Sequence, residues 1–462
     1  MSLAAFLSAL LSGLAVTISA AAAEAREPAF SSALSSFRVQ PSHRATASSE
    51  LSSQNRPRRA APGGRKAAPK ARPKAGQTAK PSAKPAIPPR QPFTATDQER
   101  AVIAGFPDAR FWADSPAAFL QALTKPSEPK PSETIGRTAH GPSSGPWLVL
   151  STGGEDGAYG AGLLAGWAAT GKRPDFTVVT GVSTGALMAP FVFAGPQYDG
   201  DLRTAYTTIG AVDIFEIGGR EDSLFDTWPL KDLIKRLVTD KLLADIAAEH
   251  ARGRRLFVLT TNLDAGRPVA WDIGAIATRR NPQALALVRN ILLAASSIPG
   301  AFPPVLIAAE AGGKQFEEMH ADGGLGAQFY VAPDALQAST SDFRLPASEL
   351  FIIINMKLAH DFHLTERSLS GILSRSIAAA IRVVTRNTID RAYMLAQRSE
   401  VPFHLAFVDE DFSAPHRGAF DSNYMKALFE FGYTQGKDGS AFHREPPRDT
   451  EQPASPGPKT TQ

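Results

Sequence analysis

The residues with the clearest chemical potential are the five of Gly181-Val182-Ser183-Thr184-Gly185. A serine hydroxyl acts as a nucleophile only if its oxygen stands clear of the backbone and a base can take its proton. A Ser flanked by two glycines, after a β-branched run and before a helical pattern, meets the first condition. The sharp strand-to-helix turn that exposes such a side chain needs neighbours without a Cβ, and the helix N-terminus behind it favours negative charge. Taken alone, the same residues also fit an ordinary Gly/Ser loop, so the motif needs partners.

Gly153-Gly154-Glu155-Asp156-Gly157 supplies one. Backbone N–H groups in a glycine turn can converge on one point, as an oxyanion requires. A phosphate-cradling loop is the rival reading. It lacks support, because no Lys-Ser/Thr follows, the Gly-x-Gly-x-x-Gly spacing is absent, and Glu155 and Asp156 repel phosphate. A glycine turn that only allows close helix–sheet packing is the simpler rival. The third feature is His320-Ala321-Asp322-Gly323-Gly324. Asp322 can act directly as the base for Ser183. A triad would instead draw on His360, His363, His404, His416 or His443, all later in the chain, as the His is in α/β-hydrolases. No loop marks any of the five, and the residues leave both arrangements open.

The elements needed to position these groups are legible. Trp147–Ser151 and Phe176–Thr180 read as buried strands, each followed by a helix: Gly157–Thr170, and one starting near Ser183. Strand–helix–strand–helix order implies a parallel sheet with right-handed crossovers. The two glycine loops then fall at the carboxyl ends of adjacent strands, the ligand-binding edge of such sheets. Further buried strands are expected at Leu256–Thr260, Phe351–Ile354 and Pro402–Val408, with helical patterns around 229–249, 282–295 and 366–398. Residues 97–125 read as helical, with Phe106, Phe111, Trp112 and Phe119 available to pack. Thr260–Arg267 can either shape the site or hold a turn by Asx-type hydrogen bonds, and the structural role is the favoured reading.

In the order Gly153-Gly154-x-x-Gly157, Gly181-x-Ser183-x-Gly185 and Asp322-Gly323-Gly324, these motifs resemble the patatin-like phospholipase family. The stretch Ala295-Ser296-Ser297-Ile298-Pro299-Gly300-Ala301-Phe302-Pro303-Pro304 is similar to the family's segment between nucleophile and acid. The resemblance covers roughly residues 145–410. It implies a three-layer α/β/α sandwich with a mostly parallel central sheet and hydrolysis of acyl esters of phospholipids or related lipids, with no metal or other cofactor. It also implies a dyad in which Ser183 is the nucleophile and Asp322 the general base. Backbone amides of the loop Gly153, Gly154, Glu155, Asp156 and Gly157 would form the oxyanion hole, and Gly181, Gly185, Gly323 and Gly324 would support the motifs. The sequence departs from the family at Asp156, where Arg or Lys is usual. The competing whole-protein readings are a catalytically inactive binding protein on the same fold and a Ser-His-Asp α/β-hydrolase.

The remaining chain reads as accessory. Residues 1–23 are small and apolar, the pattern of a secretory signal or N-terminal anchor, although Lys and Arg are missing from the start. Residues 24–95 form a Pro/Ala/Lys-rich stretch too poor in large apolar groups to fold, and are expected to be an extended linker. Residues 51–96 carry eleven Lys or Arg and no Asp or Glu, while residues 1–50 sum to zero; subtracting eleven from the net +4 leaves −7 on residues 97–462. The basic linker could touch an anionic membrane or wall surface, and no nucleic-acid partner is expected. Residues 96–145 read as a helical lead-in and loop, 146–435 as the catalytic domain and 436–462 as a flexible tail. Export, or anchoring by the N-terminal segment, is the expected localisation. The absence of cysteine excludes disulfides, a Cys nucleophile and zinc–thiolate sites.

Overall fold

The computed structural model describes residues 89–125, 145–218, 222–359, 362 and 364–447. The expected signal segment and most of the expected linker lie outside the described residues, as do His360, His363 and the chain beyond 447.

The core is a mixed sheet with a parallel centre. Its strands are β1 (Arg110–Trp112), β2 (Trp147–Leu150), β3 (Val178–Val182), β6 (Arg255–Asn262), β7 (Arg267–Asp272), β8 (Val305–Ala311), β9 (Lys314–Asp322), β10 (Leu350–Lys357) and β11 (Phe403–Val408). The order is β1-β7-β6-β3-β2-β10-β11, and β6, β3, β2, β10 and β11 run parallel. Every residue of β2, β3 and β6 is buried, as expected of parallel strands covered on both faces. A small hairpin, β4 (Glu216–Ile217) and β5 (Phe225–Asp226), stands apart.

Helices cover the sheet: α1 (Gly157–Ala169), α2 (Thr184–Ala194), α3 (Asp199–Thr207), α4 (Trp228–Leu237), α5 (Asp240–Ala251), α6 (Pro282–Ala295), α7 (Leu369–Arg398) and α8 (Ser422–Asp438). The closest helix pair is α1 with α8. A Cβ on Gly162 would lie 2.0 Å from the Phe429 carbonyl oxygen, and one on Gly436 would lie 2.1 Å from that of Leu163. Glycines on both helices therefore let the two backbones touch, and this fixes α8 along α1 from Tyr159 to Trp167.

Several expected elements take other forms. Residues 97–125 are not continuously helical. Short helices at Ala95–Glu99 and Pro116–Thr124 flank β1, which pairs antiparallel with β7. The aromatic pattern was ambiguous there, and a free sheet edge resolved it towards strand. The helical pattern at 229–249 splits into α4 and α5, because the Thr239 side chain accepts the Leu242 N–H and caps a new helix. The strand expected at 176–180 starts at Val178 and runs through Gly181 and Val182. At the C-terminus, α8 continues to Asp438, and His443 pairs with Leu405 of β11 through two backbone hydrogen bonds. The segment expected to be a loose tail thus begins as ordered structure on the sheet edge. The antiparallel strands β7, β8 and β9 were not foreseen.

Candidate active site

Ser183 caps α2 directly after β3, with φ 54° and ψ −122°. This backbone region is unfavourable for a residue with a Cβ, at a cost of about 1–3 kcal/mol. The glycines around it are needed because the turn is crowded. A Cβ on Gly181 would lie 2.4 Å from the Gly185 carbonyl oxygen, and one on Gly185 would lie 2.5 Å from that of Leu150. Either would have to displace backbone.

Asp322 arrives from the opposite direction. One edge of β6 is occupied by β7; the other pairs with β3 as far as Val182↔Leu259 and then with β9 from Asp322↔Thr260. The ends of β3 and β9 therefore meet at consecutive positions of β6. The Ser183 hydroxyl donates to Asp322 Oδ2 at 2.7 Å, and Asp322 Oδ1 accepts the Gly324 N–H at 2.7 Å. Gly323 and Gly324 both fill tight places: a Cβ on Gly323 would lie 2.6 Å from the Leu259 carbonyl oxygen, and one on Gly324 2.9 Å from Thr152 Cγ2. Two further bonds fix the Asp322 backbone, whose N–H donates to the Ser297 carbonyl at 2.9 Å and whose carbonyl accepts the Thr261 hydroxyl at 3.0 Å. Burial pushes the Asp322 carboxyl up to about 6, against the opposing pull of the Ser183 and Gly324 hydrogen bonds. Such a group is ionised near neutrality yet basic enough to take a hydroxyl proton.

The glycine loop lies at the end of β2, beside β3. Gly153 (φ 156°) and Gly154 (φ 58°) have backbone angles that suit glycine, and a Cβ on Gly153 would lie 2.2 Å from the Asn355 carbonyl oxygen. Among the described residues, the N–H groups of Gly153 and Gly154 meet no acceptor. The amides of Asp156 and Gly157 differ from the sequence expectation: they donate to the Gly153 carbonyl and to the carbonyls of Glu155 and Gly154, closing a 3₁₀ turn. The two acidic side chains turn to the C-terminal region. Asp156 accepts the Tyr424 hydroxyl at 2.8 Å, and Glu155 pairs with His416 at 2.9 Å and accepts the Asp421 N–H at 3.2 Å. Burial raises the Asp156 carboxyl to about 6, while the Tyr424 bond opposes the shift.

Supporting residues that sequence reasoning missed are Asn355, Gln328 and Tyr424. Asn355 is fully buried; its side chain accepts the Gly160 N–H and donates to the Ser151 carbonyl, both at 3.1 Å. Gln328 accepts the Thr152 hydroxyl and donates to the Gly324 carbonyl, both at 2.7 Å, linking the glycine loop to the turn after Asp322. The only sequence signal was Asn355 itself, a polar residue inside the apolar run of β10. The segment at Thr260–Arg267 does both things its sequence offered: Asn262 Oδ1 holds the turn by accepting the N–H groups of Asp264 and Ala265, each at 3.0 Å, and Thr261 bonds the Asp322 carbonyl. No histidine among the described residues bonds Ser183 or Asp322. His320 is buried between Thr260 (2.9 Å) and Glu318 (3.2 Å), His404 lies against Phe351 and Glu349, and His416 bonds Glu155.

A cavity begins at Ser183 and Gly154. Its lining is almost wholly apolar and includes Leu187, Phe191, Leu233 and Ile234. Ile298 and Phe302, from the Ala-Ser-Ser-Ile-Pro segment, form part of the wall. That segment thus both holds Asp322, through Ser297, and shapes the cavity.

The family model for patatin-like phospholipase matches residues 148–333. Among solved structures, the chain is similar to VipD from Legionella pneumophila (12% identity, 64% of this chain and 67% of that one, TM-score 0.34). It is also similar to the type III effector protein ExoU (12% identity, 65% of this chain and 54% of that one, TM-score 0.26), so it spans about half of that second chain. No curated protein matches the sequence. Residues 148–333 are thus similar in sequence to a patatin-like phospholipase domain, and they lie within a mostly parallel sheet flanked by helices that also takes in β10 and β11.

Proposed function

We propose that this protein is a serine acyl-ester hydrolase that cleaves acyl chains from phospholipids or related lipids through a Ser183–Asp322 dyad. The observation that carries the reading is the 2.7 Å hydrogen bond from the Ser183 hydroxyl to a buried carboxylate that has no histidine partner among the described residues. Asp322 takes the Ser183 proton as Oγ attacks the ester carbonyl. The N–H groups of Gly153 and Gly154, with the N-terminus of α2, face the negative charge that develops. The alcohol leaves with the proton from Asp322. Water then attacks the acyl-enzyme, giving its proton to Asp322, which returns it to Ser183 Oγ as the fatty acid leaves. The apolar cavity at Ser183 suits the acyl chain.

Hydrolysis of a panel of phospholipids, lysophospholipids and neutral esters tests this. Ser183→Ala and Asp322→Asn should each abolish release of fatty acid while the thermal transition stays cooperative. Turnover retained in either variant contradicts the dyad.

A further inference from the structure

α7 is longer than the sheet it crosses. Its 30 residues span about 45 Å at 1.5 Å per residue, whereas the eight residues of β10 span about 26 Å. The helix runs back from the carboxyl end of β10 to the start of β11. Its first buried residue is Thr385, and every described side chain from 369 to 384 is at least partly exposed. The excess length therefore lies at the carboxyl edge of the parallel strands, the edge that carries Ser183 and the Gly153 loop.

This overshoot is amphipathic, and its apolar side is about half-exposed. Leu369, Ile372, Ile377, Val383 and Val384 are 47–53% exposed. At about 100° per residue they share one face, while Arg375, Arg382 and Arg386 line one flank of it, the Arg386 guanidinium also donating to the Leu358 and Pro447 carbonyls. Between Arg367 and Ile389 there are four arginines and no Asp or Glu, in a body whose residues 97–462 sum to −7. Just before the helix, Phe362 and Leu364 are 91% and 83% exposed. At the site itself, Leu325, in the turn after Asp322, is 57% exposed and Ile298 is 43% exposed. Among the described residues no helix is long and apolar enough to cross a membrane, and a basic amphipathic helix of this kind lies in the plane of an interface.

We propose that the first half of α7 is an interfacial helix that seats the catalytic edge on an anionic phospholipid surface. The choice of lipid as partner rests on the hydrolase reading; the basic flank selects an anionic surface.

Flotation of the full chain carrying Ser183→Ala, with vesicles of phosphatidylcholine alone or with phosphatidylglycerol, tests the proposal without any catalytic readout. Binding is expected only to the mixed vesicles, and should weaken with salt. Adding Ile377→Glu and Val384→Glu should lower it at least about tenfold with the thermal transition unchanged. Replacing the Lys and Arg of residues 56–84 by Gln should leave most of the binding. Three results would overturn the proposal: the double-Glu chain binding like its parent, binding lost with the linker charges alone, or a dimer that the Glu substitutions split without any vesicle binding. A chain that floats but whose wild type hydrolyses nothing would sink the hydrolase reading and leave the surface standing.

Discussion

Ser183 and Asp322 are brought together by two strands that end against each other along one edge of β6. Val182 is paired with Leu259 and Asp322 with Thr260. The side-chain contact is thus fixed by backbone ladders on both sides and not by a mobile loop. This placement keeps both groups buried, and burial in turn raises the Asp322 carboxyl to about 6.

The pH dependence follows from that shift. In the proposed dyad Asp322 acts as base only when ionised, and burial holds its proton on to higher pH than for an ordinary carboxylate. The kcat/KM for a soluble ester should therefore rise as pH increases through about 6 and be lost below it. A pH–rate profile measured at low substrate checks this. An acidic limb near the ordinary carboxylate value, or one close to neutral histidine in Asp322→Asn, would argue for another base.

The glycine loop depends on residues far away in sequence. Tyr424 Oη donates to Asp156, and α8 is pinned to α1 through paired glycines. Tyr424→Phe removes one hydroxyl and leaves the half-buried Asp156 carboxyl without that donor. We expect kcat on a soluble ester to fall about tenfold with KM nearly unchanged, as for loss of a positioning contact felt mainly in the transition state. A variant with a raised KM and wild-type kcat would place Tyr424 in substrate binding instead.

The cavity wall predicts chain-length selectivity. Leu233 and Ile234 both line it. Ile234→Trp should fill the space and cut turnover of a decanoyl ester by at least about tenfold, while a butyryl ester keeps most of its rate. Equal losses on both esters, measured with p-nitrophenyl substrates, would show that acyl chains bind elsewhere.

Much of the site was legible because its signals are local. Gly181, Gly185, Gly323 and Gly324 sit where a Cβ would strike backbone or a neighbouring side chain, and such constraints leave their mark within five residues. The amides of the first glycine loop were only partly legible, since which of them close a turn depends on φ and ψ. Residues that act across the fold left little trace. Gln328 and Tyr424 matter through contacts 176 and 268 positions away in sequence, and no periodicity records that. β1 was read as helix because its aromatic residues fit either period, and only the free edge of β7 decides between them. The break between α4 and α5 was readable in principle from Thr239, a capping residue inside a long apolar pattern.

The central claim is that Ser183 is the reacting group and Asp322 its base. A fluorophosphonate probe, with the adduct mapped by mass spectrometry, tests it most directly. The account predicts a single adduct on Ser183 in the wild type, strongly slowed in Asp322→Asn and unaffected by His416→Gln. An adduct on another serine, or labelling of Ser183 that needs a histidine and not Asp322, would contradict it.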